Sequence, residues 1–156
     1  MNEAAQALWS AYYASLPERQ LPAVPENVFA FGDSPEMANE LGALVARGIK
    51  TATTSALWAY AEGEPIPQIG SFSVVLDGHE QPLCVSETIE VETKRFSEVD
   101  ERFAYDEGEG DRSLVYWRDE HVRFFNRTLP AIGKTFSNDI PVICERFGVV
   151  YLPQGV

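Results

Sequence analysis

Gly48-Ile49-Lys50-Thr51-Ala52-Thr53-Thr54-Ser55 packs a lysine, three threonines and a serine into an otherwise ordinary sequence. Upstream of it, apolar residues recur at helical spacing and the pattern stops at Gly48. Downstream, from Ser71, they alternate instead. The segment therefore marks the passage from helical to β-rich sequence. Helices bracketing a mainly antiparallel β portion predict an α+β fold, a small barrel with helices packed outside. The residue types matter as much as the position. A lysine becomes a useful base when desolvation or a nearby cation lowers its pKa. A hydroxyl becomes a nucleophile when a base lies within hydrogen-bond reach. Lys50 and Thr53 meet both needs if their side chains face one pocket. The same composition also suits a loop whose hydroxyls cap helices and satisfy their own backbone.

Working back from Gly48, Ser34-Pro35-Glu36 reads as a helix start: Ser34 caps, Pro35 suits the first helical position and Glu36 complements the dipole. That helix is expected to run to Arg47, with Leu41, Leu44 and Val45 inward and Gly48 as its stop. Val28 to Phe31 is a short strand candidate. Before it, Pro17, Pro22 and Pro25 bracket an extended connector. Residues Asn2 to Leu16 form an amphipathic helix pattern with Asn2 as N-cap and Ala5, Leu8, Trp9, Tyr12, Tyr13 and Leu16 on one stripe. Working forward, Phe72, Val74 and Leu76 alternate, Asp77-Gly78 signals a tight turn, and Leu83 to Val91 continues as strand. A helix pattern near Asp111 places Leu114, Trp117, His121, Phe124 and Phe125 together, with Asp111 as its cap. Ile140 to Leu152 is again β-rich and broken at Gly148.

The chain has 156 residues, 24 acidic against 12 basic, for a net charge of −12. Affinity for long nucleic acids rests on Lys/Arg neutralising phosphates, so duplex DNA is disfavoured as a partner and a small or weakly charged ligand is favoured. No apolar run approaches the roughly 20 residues a membrane span needs. The Met-Asn-Glu start lacks the basic and apolar regions of an export signal, which predicts a cytoplasmic protein. Cys84 and Cys144 read as lone buried cysteines, and with His79 and His121 they make no zinc spacing.

Two blocks in order carry a family resemblance. Phe31-Gly32-Asp33-Ser34-Pro35 through Gly48-Ile49-Lys50-Thr51-Ala52-Thr53 resembles the opening of ASCH-domain proteins. Phe103-Ala104-Tyr105-Asp106-Glu107-Gly108-Glu109-Gly110-Asp111-Arg112-Ser113-Leu114 resembles their second signature and leads into Tyr116-Trp117-Arg118. The likeness spans roughly Val28 to Phe125, within a single domain over 1–156 to which residues 1–27 add a helix and connector. It implies a PUA-like β-barrel, a fold associated with RNA and modified nucleosides. Small ASCH members are similar to amidohydrolases that remove the acyl group from N4-acetylcytidine. In those a lysine, the threonine three residues on and a distant glutamate carry the reaction; the matching positions are Lys50, Thr53 and Glu107. The implied mechanism has Lys50 deprotonate Thr53, with Glu107 positioning the base and passing protons to the leaving amine; Thr51, a second hydroxyl near Lys50, is the alternative nucleophile. It requires Lys50 and Glu107 in contact and a lowered Lys50 pKa.

The other class implied is single-stranded RNA binding, or a metal-assisted ribonuclease. The amidohydrolase needs no cofactor; the ribonuclease uses manganese or magnesium, for which Asp106, Glu107, Glu109 and Asp111 offer oxygens. That acidic run reads equally as a solvated loop before a helix. Thr51, Ser55, Trp58, Arg112 and Ser113 are the remaining substrate-binding candidates: hydroxyls beside Lys50, an aromatic able to stack on a base, and groups suited to ribose or phosphate. Arg112, Arg118, Arg123 and Arg127 give the late helix a basic side, and His121 reads as a packed histidine on an aromatic stripe.

Overall fold

The computed structural model describes residues 1–154. Its first helix, α1 (Glu3–Ser15), begins where Asn2 accepts a hydrogen bond from the Ala5 N–H. Ala5, Leu8, Trp9 and Tyr12 face inward as their spacing predicts, whereas Tyr13 is exposed. The Pro-bracketed connector folds back over this helix, with Leu21 buried beside it and the Trp9 indole N–H donating to the Ala23 carbonyl at 3.1 Å. Strand β1 (Asn27–Ala30) and helix α2 (Pro35–Ala46) follow, and the Ser34 hydroxyl accepts from the Met37 N–H. Gly48 ends α2 at φ +76°, a left-handed conformation that favours glycine.

The segment after Gly48 does not remain a loop. Ala52–Ala56 forms strand β2, and its threonines therefore alternate between two faces rather than crowding one. Strands β3 (Phe72–Leu76) and β4 (Pro82–Arg95) make the hairpin signalled by Asp77-Gly78. The short helix α3 (Glu101–Glu107), capped by Asp100, occupies the first half of a block expected to be an acidic loop. Helix α4 (Leu114–Thr128) is capped by Ser113, not Asp111, whose carboxylate instead accepts from the Ser113 N–H. The last strand, β5 (Pro141–Tyr151), runs through Gly148 without a break.

Among the described residues five strands form one curled sheet in the order β1-β3-β4-β5-β2, half of a barrel, with four α-helices around it. β1 pairs parallel with β3; the other neighbours are antiparallel. The alternation in β3 does not mark a wet face, because all five of its residues are buried. Phe72, Val74 and Leu76 pack under α1 with Trp9 and Tyr12, while Val75 packs with Leu41 and Val45 of α2. A third apolar cluster joins β2 and β5 to α3 and α4 through Ala52, Phe103, Trp117, Phe125 and Cys144. Among the described residues no helix is long and apolar enough to cross a membrane.

Candidate functional site

Three neighbouring pieces of chain meet beside β2. Thr51 ties them together: its N–H and hydroxyl both donate to the Asp106 carbonyl near the end of α3, and its own carbonyl accepts from Phe147 of β5. Just past α3 the chain lies so close to the Ile49–Lys50 backbone that a Cβ on Gly108 would sit 2.6 Å from the Ile49 carbonyl oxygen. Gly108 also has φ +75°, so glycine is required there twice over. The consequence is that Glu107 turns inward and lies under Lys50.

Both side chains are buried, and both are fully partnered. The Lys50 ammonium donates to the Ala52 carbonyl at 2.8 Å, Glu107 Oε1 at 3.0 Å and Glu109 Oε2 at 2.9 Å, which uses its three N–H groups. Glu107 Oε2 accepts from the Thr54 hydroxyl at 2.7 Å and the Trp117 indole at 2.6 Å. His121 stacks on Trp117 with ring centroids 4.1 Å apart. Its Nδ1 lies 2.8 Å from the Trp117 carbonyl and its Nε2 3.5 Å from Glu107 Oε2. The packing expected for His121 is present, and the ring also borders the site.

Burial pulls the Lys50 pKa down, but the Glu107 and Glu109 carboxylates outweigh it and the net direction is up. A lowered Lys50 pKa was the sequence expectation, and the structure reverses it: the group is an ammonium. Burial pushes Glu107 up, yet the charges of Lys50 and His121 and the Thr54 and Trp117 hydrogen bonds bring it down to about 2. Glu109 goes the other way. Burial and the Glu107 charge raise it against the pull of Lys50.

A cleft of about 70 Å³ opens above this pair. Thr53, Thr54, Lys50, Glu107 and Glu109 form its polar floor; Phe31, Met37, Leu41, Phe124 and His121 wall it; Glu120 and Arg127 line it as well. Arg127 reaches across from α4 to Asp33, 3.1 Å from Nε to Oδ2. Of the sequence candidates, Lys50, Thr53 and Glu107 thus line one cleft, but Thr54 rather than Thr53 holds Glu107. Thr51, Ser55, Trp58, Arg112 and Ser113 do not line it. Thr51 is the clamp described above, and Ser55 bonds the Tyr60 hydroxyl at 2.9 Å. Trp58 lies under Lys134. Arg112 stacks over Tyr105 and Ser113 caps α4.

Thr54 was recoverable from the sequence. Once 52–56 is read as a strand, Ala52, Thr54 and Ala56 share a face, and the two alanines are buried. Glu109, between two glycines and two residues from Glu107, reads from sequence only as a candidate metal ligand. The aromatic wall left no local signal. The four acids of the 106–111 block do not converge on one point: Asp106 pairs with Arg102 and Arg146, Glu107 and Glu109 share Lys50, and Asp111 bonds Ser113. Among the described residues no three His, Cys, Asp or Glu side chains gather to hold a metal.

Comparison with known proteins agrees with this architecture. The family model of the ASCH domain matches residues 27–151, leaving α1 and most of the connector outside. The crystal structure of an ASCH domain from Lactobacillus crispatus JV V101 superposes with a TM-score of 0.87 at 32% identity, covering 97% of this chain and 96% of that one. A protein from Enterococcus faecalis V583 superposes with a TM-score of 0.86 at 37% identity, covering 100% and 98%. No curated protein matches the chain. With a family model matched across the whole sheet and two solved relatives sharing the fold end to end, the chain belongs to the ASCH domain family.

Proposed function

We propose that this protein is an amidohydrolase of modified nucleosides, cleaving the N4-acyl amide of an N4-acetylcytidine-like substrate on a PUA-like half-barrel. The observation that carries the reading is the buried Lys50–Glu107 pair on the floor of an aromatic-walled cleft. Phe31 and Phe124 line the cleft and give it apolar surface against which a pyrimidine ring can pack. The charge balance supports a nucleoside over an RNA chain: three carboxylates, Glu107, Glu109 and Glu120, line the cleft against two cations, Lys50 and Arg127. A phosphate would meet net repulsion there.

As an ammonium, Lys50 serves electrostatically, its N–H stabilising the oxygen that becomes negative when the amide carbonyl is attacked. Glu107 holds Lys50 in place. Thr51, Thr54 and Ser55 each commit their hydroxyls to protein partners, which leaves Thr53 as the free hydroxyl of the segment and the nucleophile of this reading.

The test is release of cytidine from N4-acetylcytidine by the purified protein, with Thr53→Val alongside. Turnover by the wild type, lost in a Thr53→Val variant that melts at the same temperature, supports the reading. No release by the wild type refutes it and makes single-stranded RNA with manganese the next substrate to try.

A further inference from the structure

We propose that Glu109 is the proton-transfer residue of this cleft and that it leaves Lys50 when substrate arrives. The inference rests on the amidohydrolase reading and assigns the base which that reading lacks.

The acceptors on Lys50 are not equivalent, and a longer contact at 3.5 Å goes to the backbone carbonyl of Glu107. The Ala52 carbonyl is backbone of β2 and cannot move without the sheet. Glu107 is anchored by Thr54 and Trp117, and its side chain is 1% exposed. The Glu109 side chain is 20% exposed, and Lys50 is its hydrogen-bond partner. Gly108 and Gly110, both at positive φ, flank it and are packed against Ile49 and Tyr116, so the group free to swing is the Glu109 side chain and not its backbone. An oxyanion seeking Lys50 therefore has one displaceable competitor. Glu109 Oε2, a carboxylate oxygen 2.9 Å from Nζ, occupies the position that such an oxyanion would take.

Displacement also changes what Glu109 can do. Within the cleft and away from its ammonium it loses the charge that favours its ionised form, so its affinity for a proton rises as substrate binds. The remaining ionisable neighbours are Glu107, Glu120, His121, Tyr116 and Arg127. Of these, Glu107 raises the Glu109 pKa further and His121 lowers it.

The chemistry balances without a cofactor. The Thr53 O–H gives its proton to Glu109 as its oxygen bonds the carbonyl carbon, and the carbonyl electron pair moves onto the oxygen held by Lys50. When the tetrahedral centre collapses, the C–N bond breaks, Glu109 returns the proton to the departing nitrogen, and Thr53 is left as an ester. Water then repeats the step: its proton goes to Glu109, its oxygen bonds the acyl carbon, and the C–O bond to Thr53 breaks. Glu109 reprotonates the threonine and the carboxylic acid departs. One water is consumed for each amide cleaved.

The experiment is steady-state hydrolysis of N4-acetylcytidine against pH by wild type, Glu109→Gln and Glu109→Ala, with formate added to the last and melting temperatures as folding controls. Glu109→Gln is expected to lower kcat by about 10²- to 10⁴-fold with KM changed much less. The wild-type rise of kcat/KM with pH, lying above the range of an ordinary carboxylate, is expected to vanish in that variant, and formate is expected to restore part of the Glu109→Ala rate. If wild type turns over while Glu109→Gln keeps a third or more of kcat, or formate rescues nothing, the Glu109 assignment is overturned and the hydrolase reading stands. If wild type does not turn over, both fall.

Discussion

Replacing Lys50 by methionine tests the electrostatic account of the site most directly, because the two side chains are alike in size and differ in charge. In the native protein Lys50 Nζ lies 3.0 Å from Glu107 Oε1, both side chains 1% exposed. At that separation, and an effective dielectric of about 20, their attraction is roughly 5–6 kcal/mol. Burying the ammonium works against it, so the whole figure is not available to folding. The variant also strands the Glu107 carboxylate in the core with Thr54, Trp117 and His121 as its remaining partners. Removing one member of a buried pair costs about 3–5 kcal/mol. For a domain of this size that is a drop of about 6–20 °C in melting temperature.

The pH dependence of that loss distinguishes charge from packing. In the wild type Glu107 is held down to about 2, so its contribution is fully present above an ordinary carboxylate pKa of about 4.3 and fades as pH falls toward about 2. Without Lys50, burial dominates and the folded-state pKa of Glu107 rises. Protonation then relieves the variant as pH falls through that raised value. The stability gap between wild type and Lys50→Met, measured by urea denaturation, is expected to narrow between pH 7 and about pH 4.5. A gap under about 1 kcal/mol at pH 7, or one of equal size at both pH values, would refute the reasoning, since only a stranded charge is relieved by protons.

Two further substitutions probe how the floor is built. Thr54→Val removes a 2.7 Å hydrogen bond to the buried Glu107 carboxylate and is expected to cost about 1.5–3 kcal/mol, whereas Thr53→Val changes stability by about 0.5 kcal/mol or less; paired urea denaturation curves separate them. Gly108→Ala places a methyl 2.6 Å from the Ile49 carbonyl oxygen and 3.0 Å from Lys50 Cα at φ +75°. It is expected to lose about 2 kcal/mol or more in thermal unfolding, and an unchanged melting temperature would show that the approach of the two segments is not needed.

Much of the architecture could be read from local chemistry. Asn2 and Ser34 act as the caps their positions announce, and Gly48 stops α2 as its lack of a side chain allows. Asp77-Gly78 turns the β3–β4 hairpin. Each of these is decided within a few residues, where propensity and capping are strongest. The misreadings are non-local. Residues 52–56 look like a hydroxyl-rich loop until β5 supplies their hydrogen-bonding partners. The helix α3 has seven residues, too few to show a periodic stripe, and its packing against β2 and α4 sustains it.

For the site, the sequence determined which groups are present and, through two motifs in order, which family holds them; Lys50, Thr53 and Glu107 line one cleft. It did not determine what state they are in. A lysine's protonation is set by the difference between desolvation and Coulomb attraction, two large opposed effects that depend on distances of a few ångströms. Those distances come from Glu107 and Glu109, 57 and 59 residues further along the chain. The cleft wall is likewise assembled from the turn after β1, α2 and α4, closed by Arg127 on Asp33 across 94 residues. Local sequence names the charged groups, but only the tertiary fold brings them close enough to decide whether Lys50 is a base or an ammonium, and it makes Lys50 an ammonium.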